Sequence, residues 1–224
     1  MEYAQARMQA RYGERADEAL WRRLGGQASL AAYLAAARAT PLNRWLGGIG
    51  ERANTHVIEQ ALRERWRETV MELARWMPLE WQPAVQRCAQ LVDLPALAWL
   101  AAGRAPWAWM ERDAVLAHGL VRGSSASRAA WHADWRRCWP AGADADELER
   151  LAGRVEAHLV SFARAAPAEA PAARRALGGE AARGFRRLAF RPPAAFAYLL
   201  LRALELERLR GELAVRAMQW ESRQ

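Results

Sequence analysis

The chain of 224 residues has no lysine: all 33 of its basic residues are arginine. That absence closes several kinds of chemistry. A phosphate-loop lysine, the strand lysine of protein kinases and the Schiff-base lysine of pyridoxal phosphate enzymes all require an ε-amino group. Cysteine is scarce as well. Cys88 and Cys138 are too few for a disulfide framework or a thiolate metal cluster. The four histidines, His56, His118, His132 and His158, are scattered. His132 and Cys138 lie six apart, off the spacing of three or four that shares one helix face. There is no two-histidine helix motif, nucleophile elbow or dinucleotide fingerprint. Gly47, Gly48 and Gly50 form a glycine-rich loop, but no expected strand precedes it and no lysine follows. Catalytic residues, metal ligands and bound cofactors are therefore not expected.

β-Branched residues are also few, with nine Val, two Ile and three Thr. Such residues favour pleated, half-buried surfaces, whereas the abundant Ala, Leu, Arg and Glu fill helices. The expected fold class is all-α. Long uncharged runs are missing too. The longest, residues 24–37, falls short of the roughly 18 residues that cross a bilayer and contains Gly25, Gly26, Gln27 and Ser29. The opening Met1-Glu2-Tyr3 lacks the basic-then-apolar pattern of a signal peptide. The expected location is cytoplasmic, with contact to a membrane surface left open.

What the chain has in excess is positive charge and tryptophan. Its net charge is +8, a field that attracts nucleic acid, anionic headgroups or acidic protein surfaces without selecting among them. Just over half the residues are hydrophobic, enough to give one large domain or two small lobes a core of their own. Helices are expected over residues 2–11, 16–24, 29–38, 56–77, 83–92, 94–102, 106–118, 127–139, 146–165 and from 194 to beyond 214. Asn54-Thr55 opens the longest uninterrupted one, whose Ile58, Leu62, Trp66, Val70, Leu73 and Met77 recur at three and four. Asp93 stands where it can cap the helix that Gly103 ends. Residues 165–179, rich in Ala, Pro and Gly, read as a loose connection with a short helix near 172–177. Residues 56–77 and 146–165 echo one another, each a long helix followed by shorter pieces ending in a Leu-rich segment, a weak internal repeat.

Carboxylates such as Glu147, Glu149, Glu205 and Glu207 sit among arginines at helical spacing, where ion pairs are the ordinary outcome. Of the twelve tryptophans, Trp131, Trp135 and Trp139 repeat every four residues on a helix that also carries Arg128, His132, Arg136 and Arg137. Three readings stay open for that stripe. It is a packed core ridge, a protein-docking face anchored by Trp and Arg, or a membrane or nucleic-acid face. As interface candidates it offers Trp131, Trp135, Arg136 and Trp139.

The two ends of the chain carry a more particular pattern. Tyr3-Ala4-Gln5-Ala6-Arg7 with Arg11, followed by Leu20, Leu24, Leu30, Tyr33-Leu34 and Thr40, resembles the opening of one family. It is the central-stalk subunit called C or d in V-type and archaeal-type rotary ATPases. Ile58-Glu59 at the head of the long helix, then Val92-Asp93-Leu94 with Leu97 and Gly103, resembles that family's long helix and its Asp-x-x-Asn-Leu segment, with Ala96 in place of Asn. The family's C-terminal helix shows a Tyr, then Lys-Glu-x-Glu, then Asn-Leu-Arg. Here Tyr198, Glu205, Leu209 and Arg210 match, Arg202 preserves the charge, and Ala203 and Arg208 depart.

The resemblance implies helical lobes around a funnel. Because family members are about half as long again, it implies a reduced or two-lobed version over residues 1–224. It also implies a non-catalytic socket that joins the soluble rotor shaft to the membrane rotor ring during ion transport. Its partners would be rotor-shaft and membrane-ring subunits, and its place the cytoplasmic face of the membrane. Tyr3, Arg7, Asp93, Tyr198, Arg202, Glu205 and Arg210 would then serve packing or ion pairing. The alternatives are an arginine-rich helical nucleic-acid-binding protein and, behind it, a small helical enzyme with an unfamiliar site.

Overall fold

The computed structural model describes residues 1–117, 128–164 and 166–221, and these are helical, with no strand among them. The chain runs through α1 (Glu2–Gly13), α2 (Glu18–Gly25), α3 (Leu30–Arg38), a 3₁₀ turn (Pro41–Trp45) and the long α4 (Thr55–Trp76). Four short polar side chains set the helix starts in this half by accepting orphan backbone N–H groups. Asp17 accepts from Leu20 N at 2.7 Å, Ser29 from Ala32 N at 3.2 Å, Thr40 from Leu42 N at 3.2 Å and Asn54 from Val57 N at 2.9 Å. On α4 the expected stripe of Ile58, Leu62, Trp66, Val70 and Leu73 is buried, with Met77 buried just beyond.

Past α4 the boundaries depart from the sequence expectation. The helix expected over 83–92 divides into α5 (Gln82–Arg87) and a 3₁₀ stretch (Cys88–Val92). Indole donors give a physical reason. Trp135 Nε1 donates to Ala84 O (2.8 Å), Trp131 Nε1 to Arg87 O (3.2 Å) and Trp66 Nε1 to Cys88 O (3.0 Å). Carbonyls satisfied from outside no longer need the next turn of an α-helix. Next come α6 (Leu94–Ala101) and a short α7 (Ala108–Arg112); His118, the expected end of that helix, lies outside the described residues. Asp113 stops α7 and accepts from Val115 N (3.0 Å) and Leu116 N (3.2 Å). Then follow α8 (Arg128–Arg137), whose expected start at residue 127 is likewise outside, and α9 (Ala143–Arg164).

The loose connection expected over 165–179 needs correcting. Among its described residues, 166 is irregular and Pro167–Glu169 is 3₁₀, while α10 (Ala170–Arg187) is one helix through the Gly178-Gly179 pair. Pro171 falls in the first turn, where its missing N–H costs nothing. A Cβ at Gly178 would meet Leu204 Cδ1 at 3.7 Å and one at Gly184 would meet Ala197 Cβ at 3.9 Å. Burial of Leu177, Ala181 and Phe185 along the final helix, α11 (Pro193–Glu221), offsets the weak propensity of the glycines. The internal echo is also uneven. Pieces of 6 and 8 residues follow α4, whereas helices of 18 and 29 residues follow α9.

α11 is the axis of the main core. Leu201, Leu209, Leu213 and Ala217 have no exposed surface, and α10, α4, α9, α3 and α1 pack around them. A second, smaller cluster of Ala96, Trp109, Met110 and Leu116 lies apart, over α4.

Candidate functional site, a buried joint and an arginine-lined cleft

Tyr198, Arg202 and Glu205 follow one another on α11 at spacings of four and three, so the helix presents them on one face. That face meets the N-terminal segment. Glu205 accepts from Ala16 N at 3.3 Å through Oε1 and from Trp45 Nε1 at 3.0 Å through Oε2, joining positions 189 and 160 residues apart. Arg202 is only 1% exposed, and its Nη1 lies 3.0 Å from Glu205 Oε2. The approach is off the N–H direction, so no guanidinium nitrogen makes a hydrogen bond among the described residues. Its carbon sits 5.7 Å from the Tyr198 ring and 5.8 Å from the Trp45 ring. Burial pulls the Arg202 guanidinium below the ordinary arginine range, and the Glu205 charge opposes that shift. Burial likewise raises the Tyr198 hydroxyl. The arrangement is an electrostatic joint: a charge pair is kept dry between aromatic rings, where only the paired state is tolerable.

Above Glu205 the joint opens into a cleft of about 1240 Å³ between α2, the α2–α3 turn, α10 and α11. Arg15, Arg174, Arg175, Arg208 and Arg216 line it, with Glu18, Glu205 and Glu212 among them. Arg208 donates to Glu18 at 2.6 Å and covers the Trp21 ring. Arg216 donates to Glu212 at 2.7 Å, to Gln27 O at 2.8 Å and to Gly25 O at 3.2 Å, and lies over Tyr33. The hydrogen bond from Arg208 is the main cause that holds the Glu18 carboxyl below its usual range.

Other expected site residues go elsewhere. Asp93 does not cap its helix with its side chain. It is buried 2.5 Å from Arg67 Nη2 and 3.4 Å from Arg63 Nη1. Arg67 also grips Asp113 at 2.9 and 3.1 Å, and Arg63 lies over the Trp109 ring. Burial is the leading effect on the Asp93 carboxyl and raises it despite the two guanidiniums. Arg210 is half exposed, 3.7 Å from Glu59 Oε2. Tyr3 is 64% exposed, and Arg7 reaches Glu72 only at 4.0 Å while lying over Trp76. The interface candidates separate as well. Trp131 and Trp135 are buried and stacked at 5.2 Å, Trp139 packs edge-on to Trp135 at 4.7 Å, and Arg136 pairs with Glu149 at 3.1 Å. The stripe is a core ridge, so its two inner indoles offer no docking, base-stacking or headgroup face.

Sequence reasoning missed Trp45 and the backbone of Ala16, because no periodicity relates them to residue 205. It also missed the cleft arginines. The adjacent Arg174-Arg175 is the one signal of them visible in the sequence. No helix among the described residues is long and apolar enough to cross a membrane, and no group of three or more metal-ligating side chains gathers among them. Comparison with protein-family models, with curated proteins and with solved structures finds no match.

Proposed function

We propose that this chain is a non-catalytic coupling subunit, the socket of a V-type or archaeal-type rotary ATPase. In that role it rests on the cytoplasmic side of the membrane ring and holds the foot of the rotor shaft. One observation carries the reading. The C-terminal residues of the resemblance, Tyr198, Arg202 and Glu205, meet the N-terminal segment in a single buried joint, through Ala16 N and Trp45 Nε1. A part that transmits torque needs its ends fixed to one another, and long helices packed along α11 supply the stiffness. Charged rims around such a body set orientation across an interface more than they set affinity.

The test is purification from native membranes at low salt. The expected result is co-purification with rotor-shaft and membrane-ring proteins. Recovery as a free chain with neither partner retained would remove the proposal.

A further inference from the structure

The cleft holds two populations of arginine. Arg208, Arg216 and the buried Arg202 behind it are matched by Glu18, Glu212 and Glu205. Arg15, Arg174 and Arg175 have no carboxylate within ion-pair distance among the described residues, although the charge of Arg175 is felt by Glu18. Arg15 lies over Tyr12 at 5.1 Å and Arg174 near Phe162 at 5.7 Å, and neither guanidinium makes a side-chain hydrogen bond among the described residues. Guanidiniums held by rings, with N–H groups unspent, suit carboxylates arriving from outside. The volume, about 1240 Å³, exceeds the roughly 300–1,000 Å³ of small-molecule sites. Glutamates interspersed along the walls would repel a compact polyanion but set a register for a protein surface. Glycine keeps the floor low. A Cβ at Gly211, inside α11, would meet nothing within 4 Å, and Gly179 opposite meets only the Arg183 guanidinium. Neither position has an internal packing reason for glycine, which costs about 1 kcal/mol against Ala within a helix.

We propose that this cleft docks an acidic amphipathic helix of a protein partner. Its apolar ridge would lie along Leu204, Gly211 and Val215, and its carboxylates would face Arg15, Arg174 and Arg175. The cleft geometry carries this proposal, which rests on the coupling-subunit reading only for the identity of the partner.

The probe is a synthetic amphipathic helix with a Leu ridge flanked by Glu, its Glu→Gln counterpart as control, titrated into the full chain by calorimetry. We expect one-to-one binding of the acidic peptide alone. Gly211→Leu fills the floor while improving helix propensity, so it should fold with unchanged or higher Tm yet weaken binding at least about tenfold. Arg174→Glu/Arg175→Glu should weaken it by a similar factor. Arg52→Glu, an exposed change outside the cleft, should leave it within about twofold, the small effect of a rim charge. The proposal fails if the wild-type chain ignores the peptide, if Gly211→Leu binds like wild type, or if Arg52→Glu weakens binding as much as the cleft pair. It also fails if inorganic pyrophosphate displaces the peptide, which would make the cleft a small-anion site. A concentration-dependent dimer abolished by Gly211→Leu would place a second copy there and overturn it as well. None of these readouts uses rotary-ATPase proteins, so failure here is separable from failure of the co-purification test.

Discussion

Around α11 the helices are held by apolar ridges, whereas residues 93–117 are tied to α4 by guanidinium–carboxylate pairs at Asp93 and Asp113. The first region is continuous, from Met8 and Tyr33 through Trp66 and Leu73 to Leu209 and Leu213, all essentially without exposed surface. The second has four buried apolar residues of its own and borrows its anchorage from Arg63 and Arg67. Apolar burial is non-directional and spreads its contribution over many contacts. A buried ion network concentrates it in a few groups, and removing one leaves the others desolvated without a counter-charge. The main core should therefore fail globally and the satellite locally.

Trp66→Ala should break the larger region. Trp66 is nearly fully buried, and its indole also satisfies Cys88 O. A loss of about 5 kcal/mol, the upper end for truncating a core aromatic, should appear in denaturant melts as destabilisation of the whole chain. A loss under about 1 kcal/mol would contradict the place given to this ridge.

Arg67→Met should cost less, about 3 kcal/mol, by leaving Asp93 and Asp113 buried without their main cation. Hydrogen exchange locates that cost. Amides of residues 94–117 should exchange faster while those of α11 keep their protection. Equal loss of protection in both regions would erase the distinction between them.

The smallest effect belongs to a pair at the edge of the main core. Hydrogen bonds from Arg187, and then Arg150, hold the Glu147 carboxyl down to about 2 from an ordinary 4.5. Because the folded value lies below the unfolded one, the unfolded chain takes up the proton more readily. The stabilisation is complete above about pH 4.5 and disappears as pH falls towards 2. Both arginines are more than half exposed, so screening reduces the contribution to about 1 kcal/mol. Arg187→Gln should therefore be less stable than wild type at pH 7, with the gap closing over that window. A gap that persists at pH 2 would assign the loss to packing.

The same contrast explains what could be read beforehand. The α4 stripe and the starts at Asn54 and Ser29 follow from spacing within a few residues, and they hold. Asp93 looked like a helix cap because its sequence neighbours suggested nothing better. Its actual partners, Arg63 and Arg67, stand 30 and 26 residues earlier and reach it only because the chain folds back over α4. The Trp131, Trp135 and Trp139 stripe was legible as a stripe. Which neighbour covers it was not: the Trp131 and Trp135 indoles donate to the backbone carbonyls of Arg87 and Ala84.

By itself the sequence determined that this protein is helical, where its longest amphipathic face lies, and that lysine chemistry is closed to it. These properties depend on residue type and near spacing. The tertiary structure alone decided that a helix packed on α11 would run through Gly178, that Asp93 would join a buried network, and that Glu205 would bind Trp45 and Ala16. Each of those outcomes trades a local preference for contacts made across a large separation in the chain, and only the folded packing supplies them.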